Sequence, residues 1–490
     1  MQVTSSPIPL RSYASPVVAV DPRNPDVIAV ADGEARTSKC ALQVSTDAGR
    51  TWREATTPQP PDAANCVRNT NGHIASLVFG ADGTLYYAVA GYKPSDFHSQ
   101  IYVGRSTDLG ATFDTVAIPG LAPPYPADSF GTPALPSLAV DPTNANRIYV
   151  AWQANYGLFS LAATAFPPGK GAQSYPLRAE VSVSADGGRS FSPPVPVSSD
   201  PKDANSRAYM VVGKDGTVYV FSGQVTTPQP FGSSNPPPPT HLLLAISHDG
   251  AKTFTQKVIY SGPPNRPDDD FGVLLAIAPA VDIHNGNVYV AWEDSGVRPP
   301  AIMFMRSTDA GSTWSTPLKV NDAEPQRQWD FDEEDPMLSI APNGRLDLAW
   351  GDYRDDPTFT TKPMPMNSIQ NIYYATSSNS GANWAPNVRI SDRGINRQLS
   401  DVWETGVHSA IGLVSLNNGV YTAWDDTRNA VGDTHAQDIY FTRVGLAGPF
   451  PIAARATSST EIRYAMAGAG IALALVGLLL LIRVRRLTDT

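Results

Sequence analysis

The sequence predicts an all-β fold, a seven-bladed β-propeller followed by one C-terminal helix, on three observations. An eight-residue motif recurs at intervals of about 60 to 80 residues, the length of one propeller blade. Seven pairs of short apolar segments alternate with the copies of this motif. The composition, with 45 Pro and 38 Gly but 17% charged residues, suits many short strands joined by turns.

The repeated motif combines Ser, Asp, Gly, a second Ser or Thr and an aromatic residue, as in Ser45-Thr-Asp47-Ala-Gly49-Arg-Thr51-Trp52. Its Asp can accept backbone N–H groups and its Gly supplies a positive φ, so each copy predicts a hairpin turn between a third and a fourth strand. The copies begin at Ser45, Ser106, Ser184, Ser247, Ser307 and Ser377. In the fourth copy the glycine, Gly250, comes one place early, and the sixth is weakened by Asn379 and Asn383.

Each unit has two predicted inner strands, the first pair at Val17–Asp21 and Val27–Val30 and the last at Ile411–Leu416 and Val420–Trp424. There are seven such pairs but six motifs, because the last unit stops after a third strand near the end of the repeat region. The segment beginning at Val3 is predicted to supply the missing strand and close the ring. A six-bladed ring would require one unit to be something else.

The motif resembles the Asp-box, or bacterial neuraminidase repeat, and residues 1–446 resemble the sialidase-like propellers. The resemblance is specific for fold rather than for activity, since Asp-boxes are turn staples away from the usual catalytic centre. It implies arginines on a sugar carboxylate, a Tyr nucleophile assisted by Glu, and an Asp acid/base. The chain departs from this pattern near its start, where Pro9-Leu-Arg11-Ser12 is the nearest segment to an Arg-Ile-Pro.

Long, irregular links are predicted at the end opposite the motifs, and binding residues collect on such loops. In three of the predicted units, the second strand ends there in a Trp that is followed by an acidic residue and then by an Arg. The predicted catalytic residues are Tyr353, Glu404 and Asp352, with Tyr421 as an alternative nucleophile. The predicted substrate-binding residues are Arg354, Arg428, Arg298, Asp425 and His408. Paired guanidinium groups hold a carboxylate bidentately. The alternative is that each Arg forms a salt bridge with the adjacent Asp at the end of its blade.

The formal net charge of −10 argues against a nucleic-acid partner, whose phosphates require basic patches. Acidic runs are predicted on the long-loop face at Asp268–Asp270, at Asp330–Asp335, and at Asp352 with Asp355 and Asp356. Such loops can bind Ca²⁺ through oxygen ligands. No EF-hand spacing occurs, so a solvated acidic rim is the favoured interpretation and no cofactor is expected.

Tyr464–Ile482 is an uncharged apolar run, long enough as a helix to cross a hydrocarbon core of about 30 Å. Arg483, Arg485 and Arg486 follow it, which favours a cytoplasmic tail at 483–490 and an extracytoplasmic propeller joined by a linker at 447–463. Met1–Pro16 has no signal-peptide pattern. Either an upstream segment is missing, which is preferred, or the protein is tail-anchored with its propeller in the cytosol.

The chain has two cysteines, Cys40 and Cys66, on either side of the first motif. In an extracytoplasmic protein they are expected to form a disulfide across the outer strands of the first blade, the alternative being two free thiols. The function expected is that of a membrane-anchored, sialidase-like propeller that binds or hydrolyses glycans. The alternatives are a non-catalytic propeller that binds a protein or surface polymer, and a structural scaffold.

Overall fold

The structure is a computed structural model of the chain. It describes residues 1–4, 12–34, 39–58, 65–66, 75–93, 98–120, 134–155, 177–198, 205–224, 239–264, 276–294, 301–323, 333–356, 369–400, 411–430 and 436–445. These residues form seven antiparallel sheets, which are the seven blades of a propeller. The first strands of neighbouring blades contact one another and therefore form the innermost ring. The predicted all-β, seven-bladed propeller is confirmed.

The first four blades are complete, and the second has an additional short edge strand. Blade 1 contains β1 (Tyr13–Val20), β2 (Ile28–Glu34), β3 (Lys39–Ser45) and β4 (Arg53–Glu54). Blade 2 contains β5 (Asn65–Cys66), β6 (Ala75–Phe79), β7 (Leu85–Lys93), β8 (His98–Ser106) and β9 (Asp114–Ala117). Blade 3 contains β10 (Ala134–Asp141), β11 (Asn144–Asn155), β12 (Leu177–Ser184) and β13 (Val195–Pro196). Blade 4 contains β14 (Asn205–Val212), β15 (Val218–Gln224), β16 (Pro239–Ser247) and β17 (Thr255–Pro264).

The last three blades follow the same order. Blade 5 contains β18 (Ile277–Val281), β19 (Val288–Asp294), β20 (Ala301–Ser307) and β21 (Leu318–Lys319). Blade 6 contains β22 (Glu333–Ile340), β23 (Leu346–Asp352), β24 (Ile369–Ser377), β25 (Val388–Arg389) and β26 (Ile395–Asn396). Blade 7 contains β27 (Gly412–Leu416), β28 (Gly419–Asp426) and β29 (Asp438–Gly445). A 3₁₀-helix at Arg397–Leu399 lies in the link from blade 6 to blade 7.

Apolar side chains from facing blades fill the interfaces around the ring. Seven buried clusters occupy the seven interfaces, and the fully buried Trp152, Trp292 and Trp350 lie near the ends of second strands. Each sheet is apolar on both faces because a blade is covered on both sides by its neighbours. The core is therefore a continuous ring between blades, and its closure determines whether the last interface forms.

The N-terminal segment closes the ring as predicted. Val3 donates its N–H to the carbonyl oxygen of Ile439 at 2.7 Å, and Phe441 donates to that of Met1 at 2.8 Å. Gln2 pairs antiparallel with Tyr440 on β29. The segment thus supplies the fourth strand of blade 7 and covers an otherwise exposed sheet edge.

All six repeated turns share one geometry and lie at one end of the propeller, here called the turn end. In the first, Asp47 Oδ1 accepts from Thr51 N at 2.9 Å, Asp47 Oδ2 accepts from Thr51 Oγ1 at 2.7 Å, and Ser45 Oγ accepts from Gly49 N. These hydrogen bonds lower the pKa of Asp47 to about 2, and the one from the Thr51 hydroxyl has the largest effect. Two consecutive residues of each turn have positive φ, and in the fourth copy the second of them is Ala251 at 65°. The shift of Gly250 in the sequence therefore leaves a strained alanine in the turn.

Cys40 is disulfide-bonded, and Cys66 is the only other cysteine in the chain. The predicted location within the first blade is wrong, because Cys66 lies on β5, which pairs with β7 of blade 2. The bond therefore connects blade 1 to blade 2. The described residues contain no helix with the length and hydropathy that crossing a bilayer requires, and the predicted span Tyr464–Ile482 lies outside them.

Candidate functional site

The end opposite the repeated turns, here called the long-loop end, is where the second strands finish and most predicted site residues lie. Asp352 and Asp426 occupy equivalent places there, two residues after Trp350 and Trp424. Each Trp donates its indole N–H to the following Asp, at 3.0 Å in blade 6 and 3.3 Å in blade 7. Both carboxylates are fully buried, so each requires a cationic partner.

Arg354 is the partner of Asp352. Its Nε and Nη2 donate to Asp352 Oδ2 at 2.9 and 2.7 Å, and its Nη1 donates to Asp322 Oδ1 of the blade 5 link at 2.6 Å. The guanidinium stacks 4.1 Å from the ring centre of Tyr373. Burial raises the pKa of Asp352, and the hydrogen bonds from Arg354 oppose this shift. Arg354 thus connects two blades through two carboxylates.

Arg428 repeats the arrangement one blade further on. Its Nη2 donates to Asp426 Oδ2 at 2.6 Å, its Nη1 donates to Asp392 Oδ2 at 2.9 Å, and its guanidinium lies 3.8 Å from the ring centre of Tyr440. Arg354 and Arg428 have separate carboxylate partners, as the salt-bridge alternative predicted. Contact of either arginine with a ligand stays a prediction.

A second group of polar side chains, here called the buried polar cluster, joins blades 6 and 7 beneath the long-loop end. Arg397 Nη1 donates to Asp425 Oδ2 at 2.5 Å, and Arg397 Nε donates to Gln370 Oε1 at 2.8 Å. Gln437 Nε2 also donates to Asp425 Oδ2, at 2.6 Å, and Gln370 Nε2 donates to the hydroxyl of Tyr353 at 3.2 Å. The predicted residues Tyr353 and Asp425 are therefore brought together through two residues that sequence reasoning missed, Arg397 and Gln370.

Asp425 is the least satisfied member of this cluster. It is fully buried, and its Oδ1 has no hydrogen-bond partner. Burial raises the pKa of Asp425, while Arg397 opposes the rise. The Arg397 side chain is 4% exposed, so the pair is a buried ion pair with little contact with water.

The cluster fixes the link between blades 6 and 7. β26 pairs with the start of β24, and Asn396 caps the 3₁₀-helix by accepting from Gln398 N at 3.1 Å. Ser400, at the end of this stretch, donates its hydroxyl to Gln437 Oε1. The chain from Ile395 to Ser400 is thereby held across the end of both blades. Glu404 and His408, two predicted site residues, follow in the sequence and lie outside the described residues, as does Arg298.

Backbone strain also marks this end of the molecule. Among the described non-glycine residues with positive φ, five lie in the repeated turns and two, Ser15 at 58° and Asp335 at 48°, lie elsewhere. Both precede a proline at a bulge in the first strand of their blade. Ser15 is buried, whereas the carboxylate-bearing Asp335 is partly exposed. Bulges re-aim side chains, and strained residues of this kind cluster at binding and catalytic sites.

Blade 1 contributes a buried carboxyl group next to the ring closure. Asp32 is 2% exposed and neither of its oxygens has a hydrogen-bond partner. Burial raises its pKa well above the ordinary range, and the nearby charges of Glu54, Glu34 and Asp438 raise it further. The surroundings of Asp32 therefore favour its neutral form. The alternative nucleophile Tyr421 lies between blades 7 and 1, near Asp26 and Arg50 of the turn end.

Among the described residues, no three His, Cys, Asp or Glu side chains are placed to hold a metal ion. The acidic residues Asp268–Asp270 and 330–332, whose oxygen atoms are candidate Ca²⁺ ligands in the sequence, lie outside the described residues.

No protein-family model and no curated protein sequence matches the chain. Solved structures of similar fold include a Hadza microbial sialidase, with 16% identity over 86% of this chain and 74% of the other, at a TM-score of 0.46. A protein of unknown function from Dyadobacter fermentans has 16% identity over 76% of this chain and 96% of the other, at a TM-score of 0.45. A Penicillium chrysogenum α-L-arabinanase in complex with arabinobiose has 12% identity over 90% of this chain and 97% of the other, at a TM-score of 0.43.

Proposed function

We propose that the protein is a sialidase-like Asp-box propeller directed at glycans, with its ligand bound at the long-loop end over blades 6 and 7. The observation that carries this proposal is Asp335. This residue is partly exposed on the innermost strand of blade 6, with its Oδ2 buried, and it has a left-handed backbone conformation. Such a conformation costs an L-residue about 1 kcal/mol or more. A residue held there at this cost is a candidate for contact with a ligand.

The neighbouring residues suit this role. A carboxylate accepts hydrogen bonds from sugar hydroxyl groups, and a binding site needs a few such polar groups held in fixed positions. The buried polar cluster gives this rigidity, because Arg397 and Gln370 fix both the blade 6–blade 7 link and Tyr353. Hydrolysis would in addition require a nucleophile and an acid/base, for which Tyr353, Glu404 and Asp352 remain the proposed residues.

Asp335→Asn in the full-length protein tests the proposal. Asparagine tolerates positive φ, so the fold should be kept, whereas loss of the charged acceptor should reduce affinity by about 1.5–3 kcal/mol, tenfold or more. Affinity is measured on a glycan array and by calorimetry with the best glycan, together with hydrolysis of a fluorogenic glycoside panel.

Ser15→Gly is the matched control, since it changes the other strained bulge without removing a charged group. It should alter the free energy of unfolding and leave glycan affinity unchanged. If the wild-type protein binds no glycan, the proposal is refuted. Wild-type affinity in Asp335→Asn would remove Asp335 from the site.

We further propose that the propeller is extracytoplasmic and that residues 464–482 anchor it in a membrane. The disulfide at Cys40 supports the first part, because stable disulfides are typical of oxidising compartments. Protease added to intact cells should then remove the propeller and spare the tail. Protection of the propeller would support the cytosolic, tail-anchored alternative.

A further inference from the structure

We infer that closure of the ring is linked to a proton on Asp32, so that the interface between blades 7 and 1 opens more often as the pH rises. This interface, here called the closing interface, is the one that the N-terminal segment holds together. The device is independent of glycan binding, because it concerns the contact between two blades and not a ligand.

Asp32 lies in the closing interface, on the side of blade 1 that faces blade 7. Side chains alternate between the two faces of a strand, and Ile28 and Val30 of β2 pack in the same buried cluster as Ile439 and Phe441 of β29. Asp32 follows on β2 at the same spacing and is 2% exposed. A charge on Asp32 would therefore lie between the two blades that close the ring.

The place that Asp32 occupies belongs to the apolar core in other blades. Ile28 pairs with Ser45, the first residue of the repeated turn, and Asp32 comes four residues after Ile28. Counted in the same way, this place holds a fully buried tryptophan in blades 3, 5 and 6, namely Trp152, Trp292 and Trp350. Blade 1 thus has an ionisable group where a large apolar side chain would stabilise the interface.

The surroundings of Asp32 oppose its ionisation. Neither of its oxygens has a hydrogen-bond partner, and burial raises its pKa well above the ordinary range. The charges of Glu54 on β4, Glu34 on β2 and Asp438 on β29 raise this pKa further. Tyr87 of blade 2 is also nearby, and its own pKa is raised by burial and by the charge of Asp32, so it stays neutral. The closed ring therefore favours the protonated form of Asp32.

The contacts that hold the closing interface can break without unfolding a blade. Tyr13 of blade 1 donates its N–H to the carbonyl oxygen of Gln437 of blade 7 at 3.0 Å, and Thr4 donates its hydroxyl to Asp438 Oδ1 at 2.8 Å. Separating the two blades breaks these contacts and leaves both sheets intact. Such local opening requires less free energy than global unfolding, and it exposes Asp32 to water, which stabilises the charged form.

The direction of the pH effect follows from the proton. Asp32 holds its proton more tightly in the closed ring than in water, where an aspartic acid titrates at pH of about 4. Closure is therefore most favoured in acid, and opening releases the proton once the pH is above that value. From there up to the raised pKa of Asp32, the equilibrium constant for opening should increase about tenfold per pH unit.

Hydrogen exchange of the full-length protein, resolved to single amides by mass spectrometry between pH 5 and pH 8, measures this constant after division by the intrinsic exchange rate. The reporter is the N–H of Tyr13, which crosses the closing interface. The reference is the N–H of Met210, which donates to Ser137 Oγ at 3.0 Å between blades 4 and 3. EDTA is present throughout, so that a metal ion does not neutralise Asp32 in place of the proton.

Tyr13 should exchange through a more frequent opening than Met210, with a constant that rises about tenfold per pH unit. A constant at Tyr13 that is independent of pH would overturn the inference. Equal constants at Tyr13 and Met210 would also overturn it, because the proton would then be linked to unfolding of the whole propeller and not to closure.

Asp32→Asn removes the ionisable group with little change in shape and should abolish the rise at Tyr13. Asp32→Leu makes the same test with an apolar side chain, in case the buried amide is not tolerated. The matched control is Asp294→Asn, which changes another fully buried carboxylate, one that accepts the hydroxyl of Tyr260 at 2.5 Å, and should leave the rise intact. A rise that persists in both Asp32 variants would assign the proton to another group and refute the inference.

Discussion

Breaking the buried ion pair between Arg397 and Asp425 should be among the most damaging single changes to the long-loop end. Asp425 is fully buried and Arg397 is 3% exposed, with 2.5 Å between Arg397 Nη1 and Asp425 Oδ2. Removing one partner leaves the other charge uncompensated, which costs about 3–5 kcal/mol at buried sites. Arg397→Met and Asp425→Asn should each lower the free energy of unfolding by that order.

The pH dependence separates this cause from general loss of packing. In Arg397→Met the carboxyl group of Asp425 loses its cation, so its pKa, already raised by burial, rises further. The folded state then binds a proton that the unfolded state releases above pH of about 4. The stability difference from the wild type should therefore grow by about 1.4 kcal/mol per pH unit between the folded-state pKa of Asp425 in the wild type and the higher one in the variant, and become small in acid.

Urea denaturation, monitored by tryptophan fluorescence at pH 5 and pH 8, measures the loss in free energy of unfolding and its dependence on pH without adding salt. The double variant Arg397→Met/Asp425→Leu removes both charges and should be more stable than either single variant. Additive losses in the double variant, or an Arg397→Met effect independent of pH, would refute the buried-ion-pair account.

Arg345 and Asp347 provide a matched control at the turn end of the same blade. Arg345 Nη2 donates to Asp347 Oδ2 at 2.8 Å and also to the carbonyl oxygens of Leu416 and Gly419. Arg345→Met should thus destabilise the protein to a similar degree. Glycan affinity of the folded fraction should fall in Arg397→Met, which releases the link and Tyr353, and not in Arg345→Met.

Four further results are expected. Ala251→Gly should raise the free energy of unfolding by about 0.5–1 kcal/mol in thermal or urea melts, because it relieves a positive φ of 65°. Asp47→Asn should destabilise at neutral pH but not near pH 2, because a carboxyl group with its pKa lowered to about 2 loses its stabilising effect as pH falls from about 4. Asp32→Asn should be increasingly stabilising above pH of about 4, because a raised pKa makes folding less favourable as pH rises toward it. Deleting residues 1–4 should lower stability by a few kcal/mol, since it exposes the edge of β29, and an unchanged melting temperature would contradict the closure.

The fold was predictable because its repeated features are local in sequence. Ser45, Asp47 and Thr51 form their turn within seven residues, so the hydrogen bonds follow from spacing alone. The salt bridge of Arg354 with Asp352 was foreseeable for the same reason, since the two residues are two apart. Its second partner, Asp322, is 32 residues away and leaves no local pattern.

The candidate site was only partly predictable because its contacts are long-range. Arg397 lies in an irregular link and meets Gln370 and Asp425 across 27 and 28 residues. No strand alternation or turn motif marks it. Asp335 belongs to an acidic run that is evident in the sequence, and it precedes Pro336. Its positive φ depends on a bulge in β22, which no sequence pattern predicts. The blade that contains Cys66 was also wrongly predicted, because its strand, β5, is only two residues long and leaves no recognisable pattern in the sequence.

The buried polar cluster joins blades 6 and 7, and its member Gln437 also contacts the seam where the ring closes, which links closure to the site. Tyr13 donates its N–H to the carbonyl oxygen of Gln437 at 3.0 Å, and Thr4 donates its hydroxyl to Asp438 Oδ1 at 2.8 Å. Gln437 in turn holds Asp425 through its side-chain amide. Blade 1, through Tyr13, and the N-terminal segment, through Thr4, therefore hold Gln437 and its neighbour Asp438, and Gln437 supports the Arg397–Asp425 pair. Because local opening requires less free energy than global unfolding, weakening the closure should disturb this cluster before the other blade interfaces respond.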